Sequence, residues 1–196
     1  MITPQEEFIT DLIKKSLVGV ALPNTKSGEA GRAFEDKIEE MGININRGRG
    51  VDCKEFDWEF KTRHENAVSS QTVGTMLPEN IVAHDNWYDT PIAKKIKKQL
   101  RATLDENSII IDVDLIDFDQ PHIQDLFEQA YNHARNQIIQ NPKKTYTSCN
   151  GGYYGYFENT APSRTRSLDW RISDSNMDKL KKMATSTFQH IFTYDN

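Results

Sequence analysis

The chain has 196 residues, with 24 basic against 29 acidic side chains for a net charge of −5. That length suits one domain of ordinary size, and a hydrophobic content of 37% allows a real core. No apolar run approaches a membrane span, the acidic start MITPQEEFITDLIKK does not read as a signal peptide, and Cys53 and Cys149 form no CxxC or zinc spacing. These features exclude a membrane span, a disulfide scaffold and wholesale non-specific coating of nucleic acid. They point to a reducing, cytoplasmic setting.

In chain order, Phe8, Leu12, Ile13 and Leu17 recur at helical spacing and predict an amphipathic helix over residues 3–17. Ser27 can cap a second helix from Gly28 to Met41, with Phe34, Ile38 and Met41 on one stripe, Glu35 beside it and Gly42 to end it. INRGRGVDCKEFDWEFKTR then loses helical period and reads as a β-hairpin turning near Lys54 to Asp57. Val68 to Met76 reads as a strand. Pro91 opens a predicted helix over IAKKIKKQLRATL, and Asn107 to Phe118 reads as a central strand. Pro121 starts a long helix that ends before Asn141-Pro142, with Ile123, Leu126, Phe127, Ala130, Tyr131 and Ala134 on one face. Gly151 to Glu158 and Ser167 to Ile172 read as strands, and a last helix runs from Asp174 to Phe188. The sum is an α/β or α+β chain with a mixed sheet, drawn as a single domain over residues 1–196.

Chemistry concentrates in the hairpin. Asp52 is followed seven positions later by Glu59, and Lys61 stands two beyond. On a strand, Asp57, Glu59 and Lys61 share one face while Trp58 and Phe60 take the other, toward the core. A turn centred between Glu55 and Phe56 sets Asp52 opposite Glu59, so that two carboxylates converge on one cation. Mg²⁺ favours such an oxygen-rich site, with Mn²⁺ as a substitute, and Lys61 could position the attacking water. The alternative is a surface hairpin whose Glu59 and Lys61 form an exposed ion pair of little energetic weight.

Glu35, Asp52 and Glu59-Phe60-Lys61-Thr62, followed by Lys95-Ile96-Lys97-Lys98-Gln99-Leu100 and the strand from Ile109 to Val113, resemble the PD-(D/E)xK nuclease superfamily. The pattern is most similar to its MutH-type branch, which includes mismatch-repair nicking enzymes and type II restriction endonucleases. Val51 stands where the pattern usually has proline. The likeness spans approximately Glu29 to Asp117 and grows fainter from Gly152 onward.

The resemblance implies a restriction-endonuclease-like mixed β-sheet flanked by helices, with a catalytic core near residues 27–118. It implies Mg²⁺-dependent hydrolysis of phosphodiesters in double-stranded DNA, by a monomer or homodimer in a prokaryotic or phage-host cytoplasm. Asp52 and Glu59 would be metal ligands, Lys61 would stand at the nucleophilic water, and Glu35 would be an auxiliary carboxylate. In that branch the segment around Lys95 is a basic helix before the strand, and Lys95 matches a lysine near the scissile phosphate.

Lys94 to Arg101 holds five basic residues in eight positions, so Lys95, Lys97, Lys98 and Arg101 are candidate phosphate contacts. Tyr154, Arg164 and Arg166, from the aromatic, glycine-rich and arginine-bearing stretch of residues 145–175, are candidates for reading bases. The aromatic strand could equally pack the core. The Ser69 to Thr72 stretch could donate to the DNA backbone or simply begin a strand. Sequence-specific double-strand cleavage leads. A MutH-like strand-nicking repair enzyme and a DNA-binding module of the same fold without cleavage are the alternatives.

Overall fold

The computed structural model describes residues 1–23, 28–48, 50–67 and 70–189, with side chains described to residue 185. The predicted cap Ser27, the strand start at Val68 and Ser69, and His190 lie outside the described residues. The chain folds as two compact units, Met1–Val68 with Lys97–Asp117, and Ser69–Ile96 with Phe118–Asn196. Both mix helices and strands.

The first unit holds helices α1 (Pro4–Leu17) and α2 (Glu29–Glu40) and strand β1 (Trp58–His64). Strands β3 (Lys98–Leu104) and β4 (Ile110–Asp117) complete its three-stranded sheet, in the order β1-β3-β4. β1 runs parallel to β3, and β3 antiparallel to β4. α1 begins on a capping box: Glu6 N–H donates to Thr3 Oγ1 at 3.2 Å and Thr3 N–H donates to Glu6 Oε2 at 2.8 Å, with Pro4 at the first helical position. Ile13 and Leu17 from α1 and Phe34 and Ile38 from α2 join Trp58, Phe60, Leu100, Ala102 and Val113 in one apolar core. Phe8 and Leu12, expected on the α1 core stripe, are 69% and 49% exposed. The buried face of α1 passes instead through Glu6, Ile13 and Leu17, because Glu6 finds polar partners that let it go under.

The second unit holds an antiparallel sheet in the order β2-β6-β5, made of β2 (Gln71–Met76), β5 (Tyr156–Glu158) and β6 (Leu168–Ile172). Its helices are α3 (Pro78–Ala83), α4 (Pro91–Lys95), the long α5 (Pro121–Gln140) and α6 (Asp174–Gln189). An aromatic cluster fills its interior: Trp170 stands 5.5 Å from Trp87 and 4.9 Å from Phe157, centroid to centroid. A Cβ on Gly155 would fall 2.1 Å from the Trp170 ring, so only glycine lets the chain pass there.

Three expectations need correction. The helix predicted over IAKKIKKQLRATL stops at Lys95, and Lys98–Leu104 is the central strand of the first sheet. From Gln99 to Leu104 the chain is buried on both faces apart from half-buried Thr103, and the cross-strand partners on either side outweigh helical propensity. The Asn107 to Phe118 strand, expected at the centre, is an edge strand of that sheet. The strand expected from Gly151 shrinks to Tyr156–Glu158, because Gly151 and Gly152 take φ of +89° and +85° and turn the chain.

Candidate catalytic site

The hairpin that carries the motif is short. Cys53 and Trp58 exchange both backbone hydrogen bonds, at 2.9 and 3.0 Å, across the turn of residues 54–57. This register sets Asp52 opposite Glu59, as the spacing predicts. Asp57 does not share their face: its φ of +55° puts it in the turn, where its side chain is exposed, and β1 begins one residue later. Asp52 Oδ2 accepts the Phe60 N–H at 2.8 Å, so the carboxylate itself holds the hairpin closed beyond the single backbone pair.

Lys61 Nζ donates to Glu59 Oε1 at 2.8 Å. The side chains are 25% and 4% exposed, which overturns the reading of this pair as an exposed surface bridge. Glu35 stands close enough to feel both neighbours. Burial pushes its carboxyl above the ordinary carboxylate range and the Asp52 charge pushes the same way, while Arg47 and Lys61 oppose them without cancelling them. Arg47 lies 3.5 Å from Glu35 and also pairs with Asp36 and Glu39, at 2.6 and 2.7 Å.

The parallel pairing of β1 and β3 extends the site sideways. Glu59 is in register with Gln99 and Lys61 with Arg101, and paired positions on neighbouring strands project from the same face. Arg101 in turn pairs with Asp114 of β4. The helix-covered face is mostly apolar, with Lys98 and Asp117 at one end, whereas the other carries Glu59, Lys61, Gln99 and Arg101, and of these only Lys61 is not buried.

The strand geometry of residues 98–104 also separates the basic residues that a helix would have spread around its surface. Lys98 and Arg101, three apart, lie on opposite faces. Arg101 joins the Lys61 row. Lys98 joins Glu6, which accepts from its Nζ at 2.7 and 2.9 Å and from Trp58 Nε1 at 3.1 Å. Glu6 is the residue that the motif does not reveal. Burial pushes its carboxyl up, but the bonds from Lys98, Thr3 and Trp58 outweigh that and hold it low. The Thr-x-x-Glu pattern of residues 3–6 is the available signal, since a capping box places the glutamate side chain at the helix start.

Lys97, in the link from α4 to β3, is half-buried. The remaining sequence candidates belong to the second unit and are described there. Lys95 is the last residue of α4 and half-buried. Tyr154 is half-buried in the turn that precedes β5, and Arg164 is exposed in the turn before β6. Arg166, 78% exposed, donates to Glu79 Oε1 at 3.1 Å. Arg171 donates to Ser70 Oγ at 2.7 Å and to Ser70 O at 2.9 Å. In the first unit, His64 is half-buried with Nδ1 2.8 Å from Asp105 O, a structural contact as its offset from Lys61 predicts.

Among the described residues, no three His, Cys, Asp or Glu side chains are gathered closely enough to enclose a metal ion by themselves. A hard divalent cation does not need three: Mg²⁺ is commonly held by one or two carboxylates, with water and phosphate completing its shell. The donors here suit it. Asp52 and Glu59 face each other across the hairpin, and Glu35 adds a third carboxylate near Asp52. Among the described residues no helix is long and apolar enough to cross a membrane. No family model and no curated protein sequence matches the chain.

Proposed function

We propose that the chain is a Mg²⁺-dependent endonuclease of restriction-endonuclease-like fold that hydrolyses phosphodiester bonds in double-stranded DNA at a specific sequence. One observation carries this reading: Asp52 and Glu59 oppose each other across a short hairpin, Glu59 is buried, and the half-buried Lys61 ammonium stands 2.8 Å from the Glu59 carboxylate. Burying an ion pair costs more than burying apolar groups of the same size, so its retention on a sheet face asks for a chemical reason. The ordered D…ExK spacing supplies one.

Asp52 and Glu59 would hold the cation, which when bound neutralises charge growing at phosphorus and acidifies a water. Lys61 orients that water for in-line attack and stabilises the negative charge of the transition state. Arg101, in register with Lys61, neutralises the neighbouring phosphate. Glu35 stands beside Asp52 as an auxiliary carboxylate.

The test is incubation of the purified chain with plasmid and phage DNA, methylated and unmethylated, in Mg²⁺ or in EDTA, beside Lys61→Ala. Discrete Mg²⁺-dependent fragments that the variant fails to produce support the reading. Open circles alone favour strand nicking. DNA binding without cleavage in either Mg²⁺ or Mn²⁺ overturns it in favour of a non-catalytic module.

A further inference from the structure

Gln99 occupies a position that neither the motif nor the basic cluster explains. It lies on the central strand at the register position of Glu59, and therefore on the same sheet face. The residue is 1% exposed, and its carboxamide Oε1 is buried without a hydrogen-bond partner among the described residues. A buried amide oxygen is expensive to leave unsatisfied, and methionine or leucine would fill the same volume without that cost. The neighbouring buried positions on the opposite face, Leu100 and Ala102, follow the apolar rule. Lys98, the polar residue on that face, is satisfied by the Glu6 carboxylate, whereas the Gln99 oxygen has no such partner among the described residues.

A neutral amide oxygen is one of the ligand types that hard divalent cations accept. Asp52 reaches the site from across the hairpin, Glu59 from β1, and Gln99 from the strand on the other side of Glu59. We propose that Gln99 is a further binding residue, whose Oε1 completes the protein's share of a divalent-cation shell with the Asp52 and Glu59 carboxylates. A third oxygen without charge suits a place where Asp52 already raises Glu35. The inference rests on the cleavage reading for its cation, and it extends that reading from the hairpin to the central strand.

The experiment is a titration of the full chain with Mn²⁺ into the millimolar range, free ion being followed by electron paramagnetic resonance, with thermal melting to verify folding. The wild type binds Mn²⁺ and Asp52→Asn loses that binding. Gln99→Met is expected to weaken it about tenfold or more, with no loss of melting temperature when Mn²⁺ is absent, because an orphaned oxygen has been removed. Gln99→Glu is expected to tighten it, and this variant decides the matter if Gln99→Met fails to fold. Unchanged affinity in Gln99→Met, or weaker binding in Gln99→Glu, overturns the role of Gln99 while the Asp52 result keeps the cleavage reading standing. A wild type that binds no Mn²⁺ overturns both.

Discussion

The two sheets treat polarity differently. In the antiparallel sheet of the second unit, Val73, Met76, Phe157, Leu168, Trp170 and Ile172 point inward, with Gln71 at the start of β2 the buried polar exception, and other polar side chains tie one another, as Thr75 does with Asp169 and Arg171 with Ser70. The sheet of the first unit is mostly apolar on the face that α1 and α2 cover, with Lys98 and Asp117 at one end, yet on its other face it buries Glu59, Gln99 and Arg101. Alternation explains the first pattern except at Gln71. It does not explain the second, where side chains that prefer water are held out of it. A sheet built for stability alone would carry leucine or valine there, so the polar face is where this sequence gives up stability for chemistry.

The sharpest way to break that contrast is to make the first sheet resemble the second. The double variant Glu59→Leu, Lys61→Met replaces buried Glu59 and its half-buried partner Lys61 with apolar side chains of similar size. Cleavage should fall by a factor on the order of 10³ or more, while thermal melting stays at or above the wild-type midpoint. A matched loss of stability would mean that the pair is a structural strut. The opposite experiment is Trp170→Ala in the second sheet, where only packing is at stake. Removing a fully buried indole that touches Trp87 and Phe157 should cost about 3–5 kcal/mol. Denaturant unfolding would register it, and Mn²⁺ affinity of the fraction still folded should not change.

Glu6 sharpens the comparison from the apolar side of the first sheet. Its carboxylate is buried on that side, as is that of Asp117, and it pins Trp58 and Lys98 to the start of α1. Trp58 lies between the turn and Glu59, so this contact also steadies the hairpin that carries Asp52 and Glu59. Glu6→Ala should cost about 2–3 kcal/mol, from the broken capping box together with the fully buried Trp58 indole N–H and the half-buried Lys98 ammonium losing their acceptor. Because the Glu6 carboxyl is held below its ordinary value, its contribution is present above about pH 4.5 and is lost as pH falls through the lowered value. A Glu6→Gln chain should lose less stability on acidification than the wild type, measured by urea unfolding at several pH values.

How far the sequence can be read follows from the same division. Strand period and turn position are enough to place Asp52 opposite Glu59 and to send Trp58 and Phe60 into the core, because both depend only on local spacing. They are enough for α5 as well, where a twenty-residue helix with an apolar stripe follows a proline signal. Local spacing fails at Lys98–Leu104. A central strand buried on both faces has no alternation to betray it, and KKIKKQL carries good helical propensity that only the partners β1 and β4 override. Gln99 and Glu6 escape the motif for a related reason. Their significance lies in what stands beside them across strands or helices, and a motif contains only neighbours in sequence.

The smallest expected effect tests whether the polar face acts as one electrostatic unit. Burial and the Asp52 charge raise the Glu35 carboxyl in the folded chain, so the folded state binds that proton more tightly than the unfolded state does. Stability from this group is therefore fully present below its ordinary value of 4.5 and is lost as pH rises through the raised value. Glu35→Gln mimics the protonated form at every pH. Urea unfolding should find the variant and the wild type alike at the acid end of the folded range, and the variant slightly the more stable above that window. If Asp52 is the neighbour responsible, the difference should shrink in an Asp52→Asn background, where the repelling charge is gone and burial alone remains. A difference of the same size in both backgrounds would show that Glu35 answers to its own burial, and would remove it from the group of charges that Asp52, Glu59 and Lys61 form.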